Sequence, residues 1–141
     1  MKSVYSKRLI DPGLAIQGGL NPIAESDGAG NVVAPFVYAG KTNVPDYLIK
    51  GGPTYRIVSD RLGSPLLAVN VATRAVAQQM DYDEWGNVLA DTHSGFQPFG
   101  FAGGLYDPAT KLVRFGAYDY DASVGYWTTK DRSGYRPVWI K

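Results

Sequence analysis

The 141-residue chain contains no cysteine. Disulfides, thiol nucleophiles and thiolate metal sites are therefore excluded. Histidine is nearly as scarce, His93 being the only one. A zinc site would need several carboxylates around it, and a Ser-His-Asp triad would rest on this one loop residue between Thr92 and Ser94. A polar loop histidine is the expectation. Excess charge of either sign is also missing. Lys and Arg number 14 against 13 Asp and Glu, a net charge of +1, with no basic run. No nucleic-acid partner is expected. No apolar run reaches the ~18 residues that a membrane span needs, so no membrane insertion is expected. Met1 to Arg8 is followed by no apolar core, so no signal peptide is read, which fits synthesis in the cytoplasm with or without export. No cofactor motif is present: Gly100, Gly103 and Gly104 are followed by no Gly-Lys-Ser/Thr and open no helix pattern. Those glycines are expected to permit bulges and close strand approach.

What is abundant is punctuation. Seventeen glycines and nine prolines are spread along the whole chain, which breaks it into many short strands and leaves no room for long helices. The fold class expected is all-β, antiparallel hairpins in a curved, repeat-built sheet. Three parts are read: a turn-rich segment over 1–26, a β domain over 27–132 and a short C-terminal tail over 133–141. Val32 to Tyr38 reads as a strand with Val32, Ala34, Phe36 and Tyr38 on one face, edged or bulged because Pro35 lacks a ladder donor. Tyr47 to Ile49 reads as a short apolar insert in a loop over 40–53. Thr54 to Ser59 and Leu66 to Val71 read as strands. Ala75 to Tyr82 suits a helix by composition, but a hairpin with Leu66–Val71 is preferred. That hairpin places Arg74 where glycine is usual, at a cost of about 1 kcal/mol if the residue is left-handed.

A turn module recurs. Asp27-Gly28-Ala29-Gly30-Asn31-Val32 and Asp83-Glu84-Trp85-Gly86-Asn87-Val88 share the pattern D-x-x-G-N-V, and Asp60-Arg61-Leu62-Gly63-Ser64 is a looser copy. Strand and turn modules of this size close no core alone; they stack or curl into one sheet. Further on, Asp107 to Lys111 and Asp121 to Gly125 read as turns, with Leu112 to Tyr120 between them as one strand. On that reading Val113, Phe115, Ala117 and Asp119 share a face, and a carboxylate ends an apolar stripe.

Tyr82-Asp83-Glu84-Trp85-Gly86-Asn87-Val88 resembles the YD repeat of the RHS family. The run from Gly103 to Asp121 (GGLYDPATKLVRFGAYDYD) is similar to the core signature associated with RHS repeats. The likeness covers roughly 27–131. It implies a segment of a large β-shell of spirally wound sheet, used by bacterial members to enclose a toxin and, in the related teneurin shell, in cell adhesion. It also implies an aspartyl autoprotease in many bacterial members, whose catalytic pair falls here on Asp119 and Asp131. Two carboxylates sharing a proton serve as acid and base. The sequence departs from that pattern. Tyr118 stands where arginine is common, Asp131-Arg132-Ser133-Gly134 replaces Asp-Pro-x-Gly, and no Gly-Gly cut site follows.

Three functions remain open. The first is a non-catalytic structural module, joining other RHS shell segments or its own copies through exposed strand edges into an oligomer or filament. The second is an autoproteolytic core acting through Asp119 and Asp131. The third is an adhesive or carbohydrate-binding module drawing on the aromatic series from Phe96 to Trp139. Asp81, Asp83 and Glu84, or Asp119 and Asp121, have the spacing of oxygen ligands for Ca²⁺ but not the loop of an EF-hand. Solvated turn acids are the expectation there, with no metal.

Overall fold

The computed structural model describes residues 16–17, 21–41, 43–116, 118–131 and 134–139. The chain is all-β. A small ladder of β1 (Ile16–Gln17) and β2 (Asn21–Pro22) comes first. A seven-stranded sheet follows: β3 (Ala24–Ser26), β4 (Val32–Val37), β5 (Tyr47–Ile49), β6 (Thr54–Ser59), β7 (Pro65–Asn70), β8 (Val76–Tyr82) and β9 (Val88–Asp91). A five-stranded sheet completes it: β10 (Leu105–Asp107), β11 (Leu112–Phe115), β12 (Tyr118–Asp121), β13 (Tyr126–Asp131) and β14 (Gly134–Trp139). Both larger sheets are antiparallel meanders in chain order, and the first is curled. Each strand thus pairs with its sequence neighbour, as hairpin turns every few residues dictate.

Several local readings are revised by this topology. Tyr47–Ile49 is a ladder strand, β5, rather than a loop insert. Pro35 sits in an interior strand. The Phe36 N–H points to β3, donating to Ile23 O at 2.9 Å. Alternation therefore aims the nitrogen of Pro35 at β5, whose pairing ends at Phe36↔Leu48. β4 is nonetheless bulged, as read: the consecutive Glu25 and Ser26 face Ala34 and Val32, so Val33 is the extra residue. Ala34 and Phe36 are buried as expected, whereas Val32, beyond the bulge, is exposed. Within 133–141, Gly134–Trp139 pairs with β13 as a strand.

The largest revision concerns 112–120. It is a hairpin of β11 and β12, not one strand, and turns at Gly116, whose φ is +63°. The register sets Val113 opposite Tyr120 and Arg114 opposite Asp119. Residues facing across a ladder share a face. Asp119 therefore lies on the face of Arg114, opposite the apolar face of Val113 and Tyr120. Ala117 lies outside the described residues.

The turns fall into two geometries. In the first, Asp27, Asp60 and Asp83 each accept two backbone N–H bonds on Oδ1, from the residues two and four positions on, at 2.9 to 3.0 Å. The glycine at the fourth position takes φ of +92° to +96° each time. The looser copy at Asp60 is thus a full copy in geometry. In the second, Asn70, Asp107 and Asp121 open loops whose fifth residue is left-handed: Arg74 at +63°, Lys111 at +62° and Gly125 at +72°. Only one of the three is glycine. Arg74→Gly and Lys111→Gly are each expected to stabilise the chain by about 1 kcal/mol. The two loops belong to different sheets, so the double variant should gain about 2 kcal/mol, read as a raised urea midpoint at unchanged slope.

The core has two parts. The larger gathers Ala34 and Phe36 of β4, Val44, Leu48 of β5, Ile57 of β6 and Ala68 of β7 around Phe96 and Phe99. These two phenylalanines lie on the link between the sheets, residues 92–104. Phe99 meets Phe36 edge-on at 5.1 Å, and Phe96 meets Tyr55 at 4.9 Å. The link is a strap whose residues 96–100 are all buried against the seven-stranded sheet. The second cluster is Val113, Tyr120 and Ala122, with Phe101, Tyr106, Phe115 and Trp127 packed on it.

Candidate functional site

Arg114 and Asp119 face each other across the β11–β12 ladder. Arg114 Nε donates to Asp119 Oδ1 at 2.8 Å and Nη2 to Oδ2 at 3.1 Å. Both carboxylate oxygens are engaged in a planar fork. The Asp119 side chain is 5 % exposed and that of Arg114 20 %. Opposite Asp119 on β13 stands Thr128, whose Oγ1 is buried with no hydrogen-bond partner. Asp131 ends β13, three positions beyond Thr128, and its side chain lies outside the described residues. Asp119 is thus bound by a guanidinium, with Thr128 across the next ladder. Sequence reasoning missed Arg114 because the two strands were read as one; Gly116 was the available signal.

The repeat turns occupy the joint between the sheets. Tyr120 donates its hydroxyl to Trp85 O at 2.6 Å, and Asn87 Nδ2 donates to Ala122 O at 3.1 Å. The turn over 83–87 is thereby fixed onto the turn over 121–125. Phe101 sits between Tyr82 and Tyr120, with ring centroids 6.3 and 5.8 Å away. The turn over 60–64 is tied to the same place: Ala102 N donates to Ser64 Oγ at 2.7 Å, and Asn43 Nδ2 donates to both Leu62 O and Ala102 O. Asn43, Ser64 and Asn87 are the polar residues of the joint. Asn87 and Ser64 carried a sequence signal, as the fifth residues of the D-x-x-G-N repeat and its looser copy; Asn43 carried none.

Gly86 is required twice over here. Its φ is +96°, and a Cβ on it would lie 2.4 Å from the Phe101 ring. Gly86→Ala is expected to cost at least about 2 kcal/mol, combining backbone strain with overpacking. Gly30→Ala at the equivalent position of the N-terminal turn, with φ of +92° and nothing within 4 Å, is the control: it carries the backbone strain alone and is expected to cost about 1 kcal/mol. Urea titration of both separates the joint from the generic turn.

Of the acids with Ca²⁺-ligand spacing, Asp81, Asp83 and Asp121 accept backbone N–H groups and Asp119 is held by Arg114. Asp83 Oδ2 accepts Asn87 Nδ2 at 2.8 Å, the chief cause of a carboxyl held below its usual range. Asp27 is lowered in the same way by Asn31. Asp81 accepts the N–H of Tyr82, Asp121 that of Ser123, and Glu84 is exposed. Among the described residues no group of three or more His, Asp or Glu could hold a metal ion. His93 is exposed at the start of the strap, its Nδ1 3.2 Å from Ala77 O and its ring 5.0 Å from that of Phe96. Of the aromatic series, Phe96, Phe99, Phe101, Tyr106, Phe115, Tyr120 and Trp127 pack in the two cores, while Tyr118 is half-exposed.

Turns opened by aspartate, those at Tyr82-Asp83 and Tyr120-Asp121 preceded by tyrosine, thus fasten the curled seven-stranded sheet to the second meander. The family model described as Teneurin YD-shell matches residues 29–141. The chain belongs to the teneurin YD-shell family. It is 44 % identical over 84 residues to teneurin-3 of Mus musculus and 42 % identical over 84 residues to teneurin-4 of Homo sapiens, each match covering 59 % of this chain. Teneurin-m of Drosophila melanogaster is 35 % identical over 86 residues, 60 % of the chain. The chain spans about 3 % of the length of these curated relatives. The YD-shell is a structural module, and the RHS and YD-repeat resemblance read from 82–88 and 103–121 is borne out.

Proposed function

We propose that the chain is a non-catalytic wall segment of a YD-shell, joined to further shell sheet, its own copies included, through its marginal strands. The observation that carries this reading is the Arg114–Asp119 fork. An aspartyl protease sets its acid against a second carboxylate, whereas the group bound to Asp119 here is a guanidinium that engages both of its oxygens as an ion pair. The acids of the recurrent turn pattern, Asp27, Asp60 and Asp83, hold turns. Support for the marginal pairing is Leu89 and Ala90, exposed on β9 at the end of the seven-stranded sheet. A strand end of that kind is a template for another strand.

Intact mass tests the absence of catalysis. After incubation between about pH 4 and 8 the chain should remain one species of 15.3 kDa, the range over which a carboxylate pair would act. Two fragments adding to that mass, lost in Asp119→Asn or Asp131→Asn, would establish the autoprotease instead. Light scattering against concentration tests the pairing: mass should grow with concentration, and a monomer at every concentration rejects it.

A further inference from the structure

Among the described residues the strap has one charged fastening. Lys50, just after β5, donates from Nζ to Phe96 O at 2.6 Å and lies 5.0 Å from the centroid of the Phe96 ring. The same Nζ is 3.7 Å from Oε1 of Glu25 on β3. One ammonium therefore links the first strand of the sheet to the strap that crosses it. The Glu25 side chain is 6 % exposed, and its Oε1 is buried without a hydrogen bond. Lys50 is the charged side chain facing it among the described residues. From β4, Ala34 stands opposite Glu25 in the ladder, and the Tyr38 hydroxyl is turned to Pro22 O at 2.7 Å.

We infer that Glu25 and Lys50 form a proton-operated clasp that sets how firmly the strap over 96–100 is seated on the seven-stranded sheet. A buried carboxylate whose Oε1 has no hydrogen bond and whose ammonium, 3.7 Å away, is itself committed to a carbonyl keeps part of its desolvation cost. Burial raises the Glu25 carboxyl above its usual range, against the smaller opposing pull of Lys50. When the strap lifts, water reaches the carboxylate and that cost is relieved. The seated state thus binds the proton more tightly than the lifted one. Seating is firmest below the ordinary glutamate value and weakens as pH rises through the raised one. The device matters because 92–104 is the stretch of chain linking the two sheets, and Phe99 closes the larger core.

Hydrogen exchange of the full chain, expressed as protection factors so that the intrinsic pH dependence divides out, reads the clasp. Protection at Phe96, Phe99 and Gly100, whose N–H groups are bonded to His93 O, Gln97 Oε1 and Gly104 O, should fall several-fold from about pH 4 to pH 7. The Ile57 amide, bonded to Asp46 O within the sheet, should not follow that trend. Glu25→Gln, nearly the same in shape, should abolish the pH dependence at the strap. Lys50→Met should steepen it, since the carboxylate then loses its cation. Strap protection that is flat with pH in the natural chain, or that keeps its slope in Glu25→Gln, overturns the inference. If either variant fails to fold, the strap slope in His93→Gln, which removes the imidazole beside Phe96, decides: a slope that disappears there overturns the inference.

Discussion

Phe99→Ala is expected to cost about 3–5 kcal/mol, the upper range for emptying a buried aromatic site. Phe99 is 1 % exposed and lies where four strands of the seven-stranded sheet converge. Its ring packs edge-on against Phe36, an arrangement worth about 0.5–1.5 kcal/mol beyond the area it buries. Its N–H and C=O are both satisfied by one side chain, with Gln97 Oε1 accepting at 2.7 Å and Gln97 Nε2 donating at 3.0 Å. Gln97 is itself buried. Removing the ring leaves a cavity against a sheet whose ladders resist collapse, and it unseats a strap that carries its own buried polar groups. Val124→Ala, at an exposed turn position, should stay within about 0.5 kcal/mol. Chemical denaturation of both variants gives the comparison.

Arg114→Ala is expected to cost a similar 3–5 kcal/mol, because it strands a buried carboxylate without its partner. The reverse change should cost less. In Asp119→Asn the Arg114 guanidinium, more exposed than the acid, can turn toward water along its apolar stem. The asymmetry is the diagnostic. An exposed ion pair would give less than about 1 kcal/mol from either side. A pair of apolar replacements, Arg114→Met with Asp119→Leu, should recover most of the loss, since it leaves no charge unpaired. If Arg114→Ala has no more effect than Asp119→Asn, the fork is not what holds Asp119 in this face of the sheet.

The fold class was legible because its carriers are local. An aspartate opening a turn and a glycine four residues in state their geometry in five consecutive residues. The hairpin of β7 and β8 was likewise legible, down to the left-handed Arg74, because no helix agrees with the repeat. The strap was not legible as a core element. Phe96, Gln97, Pro98 and Phe99 have no period, and their burial is set by Phe36, Leu48 and Ile57, far back in the chain. Gly116 was misjudged for a related reason. Alternating apolar residues on either side of it agree with one long strand, and only the pairing of Arg114 with Asp119 tells a hairpin from that strand. The resemblance at 103–121 led toward Asp119 as half of a catalytic pair. The residue that defines its surroundings, Arg114, comes from the neighbouring strand.

The account turns on the two sheets being one body, fastened by the strap and by the turns over 60–64, 83–87 and 121–125. Urea unfolding followed by two probes at once tests this most directly. Tryptophan emission reports the joint and the five-stranded sheet, because the three tryptophans are Trp85, Trp127 and Trp139. Amide exchange at Ile57 reports the seven-stranded sheet. One wall segment requires both signals to share a single midpoint and to move together in Phe99→Ala. Tryptophan emission that changes at lower urea while Ile57 remains protected would mean two independent units, and would contradict the account.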